Sequence, residues 1–209
     1  MPSLKDGITL PDEIELLDRQ RGTSQRARIE DLTRDIAKEQ MDLTWWSEVA
    51  AVPQDIRRAE RDVGWKWVGL TGQLRQFGRN GYAWAVMTDD GKCQGAILYQ
   101  LGAVSALDPS KPTVYCWRLA SAPRNRDRLV ANPRYRGVGT GLIKLASLHS
   151  YRAGLGGRVT LEAYNDSPTV AWYTRLGFQE ARHVPTDIIE MELNPETAGT
   201  LLADLLVQL

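Results

Sequence analysis

The chain has 209 residues, 43% of them hydrophobic and 25% charged, with 26 basic and 26 acidic side chains. That composition is not that of a disordered chain, a chain this long can bury roughly 70% of its surface in a full core, and a formal charge of zero argues against a dedicated duplex-binding protein. No apolar run approaches the roughly 20 residues of a membrane-spanning helix, and two cysteines without a CxxC pair beside two histidines suggest neither a disulfide framework nor a metal site. The opening segment MPSLKDGITLPDE lacks the apolar stretch of a secretion signal, so a reducing cytoplasm is the expected setting.

In chain order, IELLD over about 14–18 reads as a first strand. The rest of segment 1–80 reads as helical. Ile29, Leu32 and Ile36 recur at helical spacing, Pro53 opens a helix over about 53–63, and Trp65–Phe77 reads as helix. From Tyr82 the period shortens. YAWAVMT, the turn DDGK and CQGAILYQL form a hairpin, and VYCWRLAS is the next strand. LVANP reads as a short extended piece ending at Pro133. A helix runs from about Gly139 to Gly154, RVTLEAY is a strand, and Ser167-Pro168 starts a helix that stops at Gly177. FQEARHV and IIEMEL close the sheet, and Asn194-Pro195 opens a C-terminal helix with leucines at 201, 202, 205, 206 and 209. Hairpins among alternating helices and strands imply a mixed sheet in an α/β (α+β) layer fold. One domain over 1–209 is expected, with a helical part over 1–80, a sheet core over 82–193 and a terminal helix over 194–209.

Charge is unevenly placed. Six arginines (118, 124, 126, 128, 134 and 136) face a single acid, Asp127, between Arg118 and Arg136. The same stretch holds Arg136-Gly137-Val138-Gly139-Thr140-Gly141, set before a helix. Glycines permit close approach of a ligand, and free amides at a helix start attract anions. Leu142 stands where a dinucleotide fingerprint needs its third glycine, and Gly141-Leu142 is not the GK-Ser/Thr of a Walker loop. The loop alone reads either as a phosphate cradle or as a plain turn.

NPRYRGVGTGLI resembles the acyl-coenzyme A loop of the GNAT superfamily of N-acetyltransferases, with Arg136, Gly139 and Gly141 at its pattern positions. A second motif of that family is matched by Asn165 at a strand end, Tyr173 eight residues on, and Gly177-Phe178. The resemblance implies a mostly antiparallel twisted sheet of about six to seven strands flanked by helices, with the helical N-terminal part shaping the acceptor site. It implies acetyl-CoA as cosubstrate and direct transfer of acetyl to an amine of a small molecule, protein or peptide. Val130, Ala131 and Asn132 would contact the pantetheine arm. The amides of Gly137, Val138, Gly139, Thr140 and Gly141 would hold the pyrophosphate, aided by Arg134 and Arg136. Asn165 and Tyr173 would contact the coenzyme, and the arginine excess would answer its phosphates. Tyr173 would be the general acid, since tyrosine near 10 and a thiol near 8.5 differ by only roughly 2 kcal/mol of proton affinity.

VYCWRLAS carries no carboxylate, unlike many relatives, so Glu162 is the expected base, ahead of Asp127 and Glu190. Thr160, Glu162 and Tyr164 would share the face opposite Val159, Leu161 and Ala163. Arg118 and Tyr115 are candidate lining of the acceptor pocket. His149 and His183 read as structural or exposed, Cys116 as core, and Trp45, Trp46, Trp65 and Trp67 as buried packing. No metal, nucleic acid or membrane is expected, and the C-terminal leucines suggest a homodimer. Two other readings stay open: a non-catalytic acyl-CoA sensor, and a toxin-like enzyme acting on aminoacyl-tRNA through Arg124, Arg126 and Arg128.

Overall fold

The computed structural model describes residues 9–184 and 187–206, so Leu209 of the C-terminal stripe lies outside the described residues. The chain divides into two compact units: residues 11–98 with 118–142, and residues 9–10 and 99–117 with 143–206.

In the first unit, β1 (Glu13–Asp18) and β2 (Thr23–Asp31) form an antiparallel hairpin, and β2 pairs with β3 (Gly81–Met87). Next to β3 comes β4 (Cys93–Val104), and on the other side β1 pairs with the two-residue β6 (Tyr135–Arg136). RIED, read as helix from its sequence, is the end of β2. Ala27 and Ile29 are buried while Arg26, Arg28 and Asp31 are exposed, a period of two that the wider spacing of Ile29, Leu32 and Ile36 masked. Helix follows only at a π-helical turn over Ile36–Asp42, at α1 (Gln54–Ala59) and at α2 (Trp67–Gln73) with a 3-10 turn behind it. The expectation of a largely helical segment 1–80 is corrected accordingly. Trp45 and Trp67 are buried and meet edge to face at 5.6 Å, with the Trp45 indole N–H donating to the Cys93 carbonyl at 3.1 Å.

The second unit holds the end of β4, the start of β5 (Pro112–Ser121), and the order β5-β7-β9-β8. β5 runs parallel to β7 (Val159–Tyr164) over only Val114, Tyr115 and Cys116. β9 (Ile188–Leu193) pairs antiparallel with both β7 and β8 (Phe178–Val184). Among the described residues the sheet therefore contains nine strands rather than six or seven, and β2 and β6 account for the excess. α3 (Val138–Arg152) begins in the first unit and ends in the second, and Gly154 beyond it takes a φ of +77°. α4 (Ser167–Arg175) starts where expected and is capped by Asp166, whose carboxylate accepts from the Thr169 amide at 2.9 Å. Asn194 caps α5 (Pro195–Leu201) in the same way, and α6 (Ala203–Leu206) follows.

Glu192 on β9 is a fully buried acid. It accepts from the Ser105 hydroxyl at 2.6 Å, the Ala106 amide at 2.7 Å and the Thr160 hydroxyl at 2.8 Å, and Arg158 lies 3.4 Å away. These donors replace the water the carboxylate loses on burial. Thr160 is buried and Glu162 exposed on the face of β7 that the two share, because Glu192 and its donors cover that face only at the Thr160 end.

In the first unit a side chain at Gly95 has no room. A Cβ there would stand 2.4 Å from Val138 Cγ1 and 3.0 Å from the Ala120 carbonyl. Gly95→Ala is expected to cost about 2 kcal/mol in urea unfolding, the usual penalty of overpacking, with the slope against denaturant unchanged.

Candidate functional site

The expected site residues lie in both units: Val130 to Gly141 in the first, and Glu162, Asn165 and Tyr173 in the second.

Around the glycine loop, each residue has a distinct part. β6 hands the chain to Gly137, whose φ of +94° only glycine adopts without strain. α3 starts at the next residue, where buried Val138 packs into the space left by Gly95. Gly141 is glycine for packing, because a Cβ there would lie 2.6 Å from Ile14 Cδ1 on β1. Its amide donates to the Gly137 carbonyl at 2.8 Å, the first hydrogen bond of the helix. The amide of Gly141 is thus already engaged. The first-turn amides of Val138, Gly139 and Thr140 have no partner within a helix of this geometry. Gly139 and Thr140 are half-exposed and Arg136 is exposed, so an anion reaching these amides also meets a cation. A phosphate group fits this arrangement of free donors and positive charge.

Arg134, expected to aid the pyrophosphate, already has partners within the protein. Its guanidinium lies 3.1 Å from Asp90, 3.7 Å from Asp18 and over the Tyr135 ring at 4.9 Å. Burial works against the Asp90 carboxylate, but Thr88, the Lys92 amide and Arg134 outweigh it and hold the group below the usual range. Asp18 is buried and accepts from the Gln20 and Arg21 amides at 3.0 and 3.1 Å, closing the β1–β2 turn.

Val130, Ala131 and Asn132 are not the extended piece anticipated. The amides of Leu129 and Val130 both donate to the Arg126 carbonyl, which folds this stretch into a turn. The strand leading towards the loop is β5, and it ends at Ser121. Ala131, Asn132 and Pro133 instead line a cavity of about 420 Å³ with Arg19 and Gln20.

The arginine excess has a structural explanation. Arg124 pairs with Glu48 and donates to the Cys93 carbonyl at 2.5 Å. Arg126 meets Glu60 at 2.7 Å and both oxygens of Asp62 at 2.7 and 2.6 Å, and it also donates to the Ser121 carbonyl at 2.6 Å. Arg128 lies 3.3 Å from Glu60, and Arg19 reaches Asp127 at 2.5 Å. Burial works against the charge on Arg126, but Asp62 and Glu60 more than offset it and raise its proton affinity. The resemblance assigned this patch to coenzyme phosphates; most of it is answered by acids of the same unit. Glu48, Glu60 and Asp62 stand far from their partners in sequence, so no local pattern signalled them.

In the second unit, Tyr173 is buried on α4 between Trp172 and Phe178, with ring centroids at 4.7 and 5.3 Å. Burial, and to a lesser degree nearby Cys116, push its hydroxyl well above the ordinary tyrosine range. Glu162 is exposed on β7 opposite Glu190, which pairs with Arg182 at 2.9 Å. Asn165 is exposed at the strand end, its amide donating to the Asp187 carbonyl at 3.1 Å. His149 is buried with Nδ1 2.8 Å from the Tyr99 hydroxyl, and His183 is exposed beside Glu180. Cys116 is buried, as expected, and burial raises the Cys93 thiol to about 12, which leaves it unreactive. In the first unit Arg118 stacks over half-buried Trp65 at 5.2 Å. Among the described residues no helix is long and apolar enough to cross a membrane, and no cluster of metal-ligating side chains occurs.

No protein-family model matches the chain, and no curated protein matches it. Solved structures do. A variant of the AtaT toxin bound to the C-terminus of the antitoxin AtaR and to acetyl-CoA has a TM-score of 0.53 at 18% identity, over 84% of this chain and 98% of that one. The PaiA N-acetyltransferase of Thermoplasma acidophilum in complex with coenzyme A has a TM-score of 0.52 at 15% identity, over 80% and 98%. A putative GNAT-family acetyltransferase from Bordetella pertussis has a TM-score of 0.51 at 17% identity, over 81% and 96%. The fold is that of the GNAT superfamily, with no subfamily distinguished.

The Arg124–Glu48 pair yields a pH prediction. Burial raises the Glu48 carboxyl, but Lys92 and Arg124 outweigh it, so the group sits below its ordinary 4.5. Its contribution to stability is complete above that value and is lost as pH falls through the lowered one. Glu48→Gln is therefore expected to flatten the loss of unfolding free energy below about pH 4.5, measured by urea titration across pH 3–6.

Proposed function

We propose that the protein is an acetyl-CoA-dependent N-acetyltransferase that passes acetyl directly to a primary amine of a small molecule, protein or peptide. The observation that carries this reading is the run of first-turn amides at Val138, Gly139 and Thr140, presented by the left-handed turn at Gly137 beside exposed Arg136. The shared fold supports it, since two solved structures with that fold hold acetyl-CoA and coenzyme A.

Bound acetyl-CoA supplies an activated acetyl group and leaves as a thiol. On this reading the amides of residues 138–140 and the Arg136 guanidinium bind the pyrophosphate, a charge-assisted contact that fixes the cosubstrate without taking part in bond making. Ala131 and Asn132, which line the cavity beside Arg19 and Gln20, would face the pantetheine arm. Tyr173 holds a proton. Its raised affinity keeps the hydroxyl protonated and so excludes it as the base, while making donation to the sulfur costlier than ordinary tyrosine and thiol values imply; the donor role rests on the motif position of Tyr173. Glu162 is the proposed base for the acceptor amine. The aminoacyl-tRNA reading draws no support from Arg124, Arg126 and Arg128, all paired with acids.

Calorimetry with coenzyme A tests the binding half, and Gly137→Ala is expected to weaken that binding at least about tenfold, because a Cβ strains the turn. Thioester consumption with a panel of amines tests the chemistry. Tyr173→Phe is expected to lower transfer about 10²-fold and Glu162→Gln by a similar factor, both with coenzyme A affinity retained. Tight coenzyme binding with no amine ever accelerating release of thiol would make the protein an acyl-CoA sensor instead.

A further inference from the structure

The turn between β5 and β6 joins two regions that the sequence keeps far apart. Arg126 is its corner. The Arg126 carbonyl gathers the Leu129 and Val130 amides, and its guanidinium donates back to the Ser121 carbonyl from Nε at 3.1 Å and Nη2 at 2.6 Å. The same guanidinium is held by Glu60 and Asp62, with the Trp46 ring 5.6 Å away. α1 stops at Ala59 and Glu60 turns extended, with its carboxylate buried against Arg126. The next residue back, Asn125, reaches towards the glycine loop. Its Oδ1 accepts from the Tyr135 amide at 3.2 Å, two residues before Gly137, and its Nδ2 donates to Gln94 Oε1 at 2.9 Å. One more residue back, Arg124 pairs with Glu48. Three consecutive side chains therefore fasten segment 45–62 on one side and the start of the anion loop on the other.

We propose that Asn125 and Arg126 are positioning residues for the anion loop, coupling the placement of segment 45–62 to coenzyme A affinity; this rests on the reading of that loop as a coenzyme A site. Both residues act through other protein groups: their partners are Gln94, the Tyr135 amide, Ser121, Glu60 and Asp62. Asn125 fixes where the Tyr135 peptide sits, and Arg126, pinned by Asp62 and Glu60, fixes where Asn125 sits. A disturbance at Asp62, remote from Gly137 in sequence, is thereby felt at the loop through Arg126 and Asn125. Couplings of this kind change affinity by roughly 5- to 150-fold.

The test uses the full chain with three variants and two readouts: calorimetry with coenzyme A, and amide hydrogen exchange by mass spectrometry. Asn125→Ala is expected to raise the Kd about tenfold and to speed exchange over residues 135–141, with exchange in β7 and β9 unchanged. Asn125→Asp keeps the acceptor for the Tyr135 amide but loses the donor to Gln94 Oε1, so its affinity and protection are expected to fall between those of wild type and Asn125→Ala. Asp62→Asn, at the far end of the clamp, is expected to follow Asn125→Ala in weaker form. A purely structural clamp would lower the melting temperature of these variants while leaving Kd and the exchange of 135–141 at wild-type values, and that result overturns the proposal. Should the wild-type chain bind no coenzyme A, the functional reading fails, while the exchange arm still decides whether Asn125 and Asp62 hold the loop. Should Asn125→Ala fail to fold, Asp62→Asn and Asn125→Asp decide it by the same two readouts.

Discussion

The turn at Gly137 is the constraint on which the loop depends. The chain must leave a two-residue strand and enter a fifteen-residue helix with one residue between them, and only a left-handed backbone makes that change of direction. Everything adjacent enforces it. β1 pairs with β6 at Leu17–Arg136 and Asp18–Tyr135, Ile14 occupies the space above Gly141, and Val138 fills the gap left by Gly95. The turn is thus clamped before and behind, and the amides that follow it are held in place without a ligand. Preorganised donors of this kind need no rearrangement when an anion arrives, which is why a rigid helix start makes a better phosphate site than a mobile loop.

Electrostatics around that turn is largely self-contained. Of Arg124, Arg126, Arg128, Arg134 and Arg136, only Arg136 lacks an ion-pair partner among the described residues. The others join Glu48, Glu60, Asp62 and Asp90, drawn from distant parts of the sequence. A partly buried guanidinium with two carboxylates and a carbonyl, as at Arg126, contributes more to defining one arrangement than to net stability, because the desolvation of all three charges offsets most of their attraction. The cationic stretch seen in the sequence is therefore mainly architecture, with a single exposed cation beside the amides. The buried Glu192 in the second unit follows the same rule with neutral donors replacing most of the countercharge.

What the sequence disclosed was local. Hairpin turns, the glycine at 177, the cap at Asn194 and the RGVGTG loop are set by residues within a few positions of one another, and each of these lies where its pattern placed it. Three things escaped. β2 was masked because Ile29 belongs to a two-residue alternation while its spacing to Leu32 and Ile36 also suits a helix. β6 is too short to leave a pattern, being defined only by pairing with β1. The partners of Arg124 and Arg126 were invisible because ion pairs between such distant positions leave no periodicity. The glycines illustrate the same divide. Their presence marked the loop, but which one bends the chain (Gly137) and which one makes room for a neighbour (Gly141) depends on Ile14, far away in sequence.

The most direct measurement is a backbone amide NMR titration with coenzyme A. The largest shifts are expected on the amides of Val138, Gly139 and Thr140, with Gly141 moving less because its amide already serves the Gly137 carbonyl. Shifts confined to other parts of the chain, or none at saturating coenzyme, would contradict it.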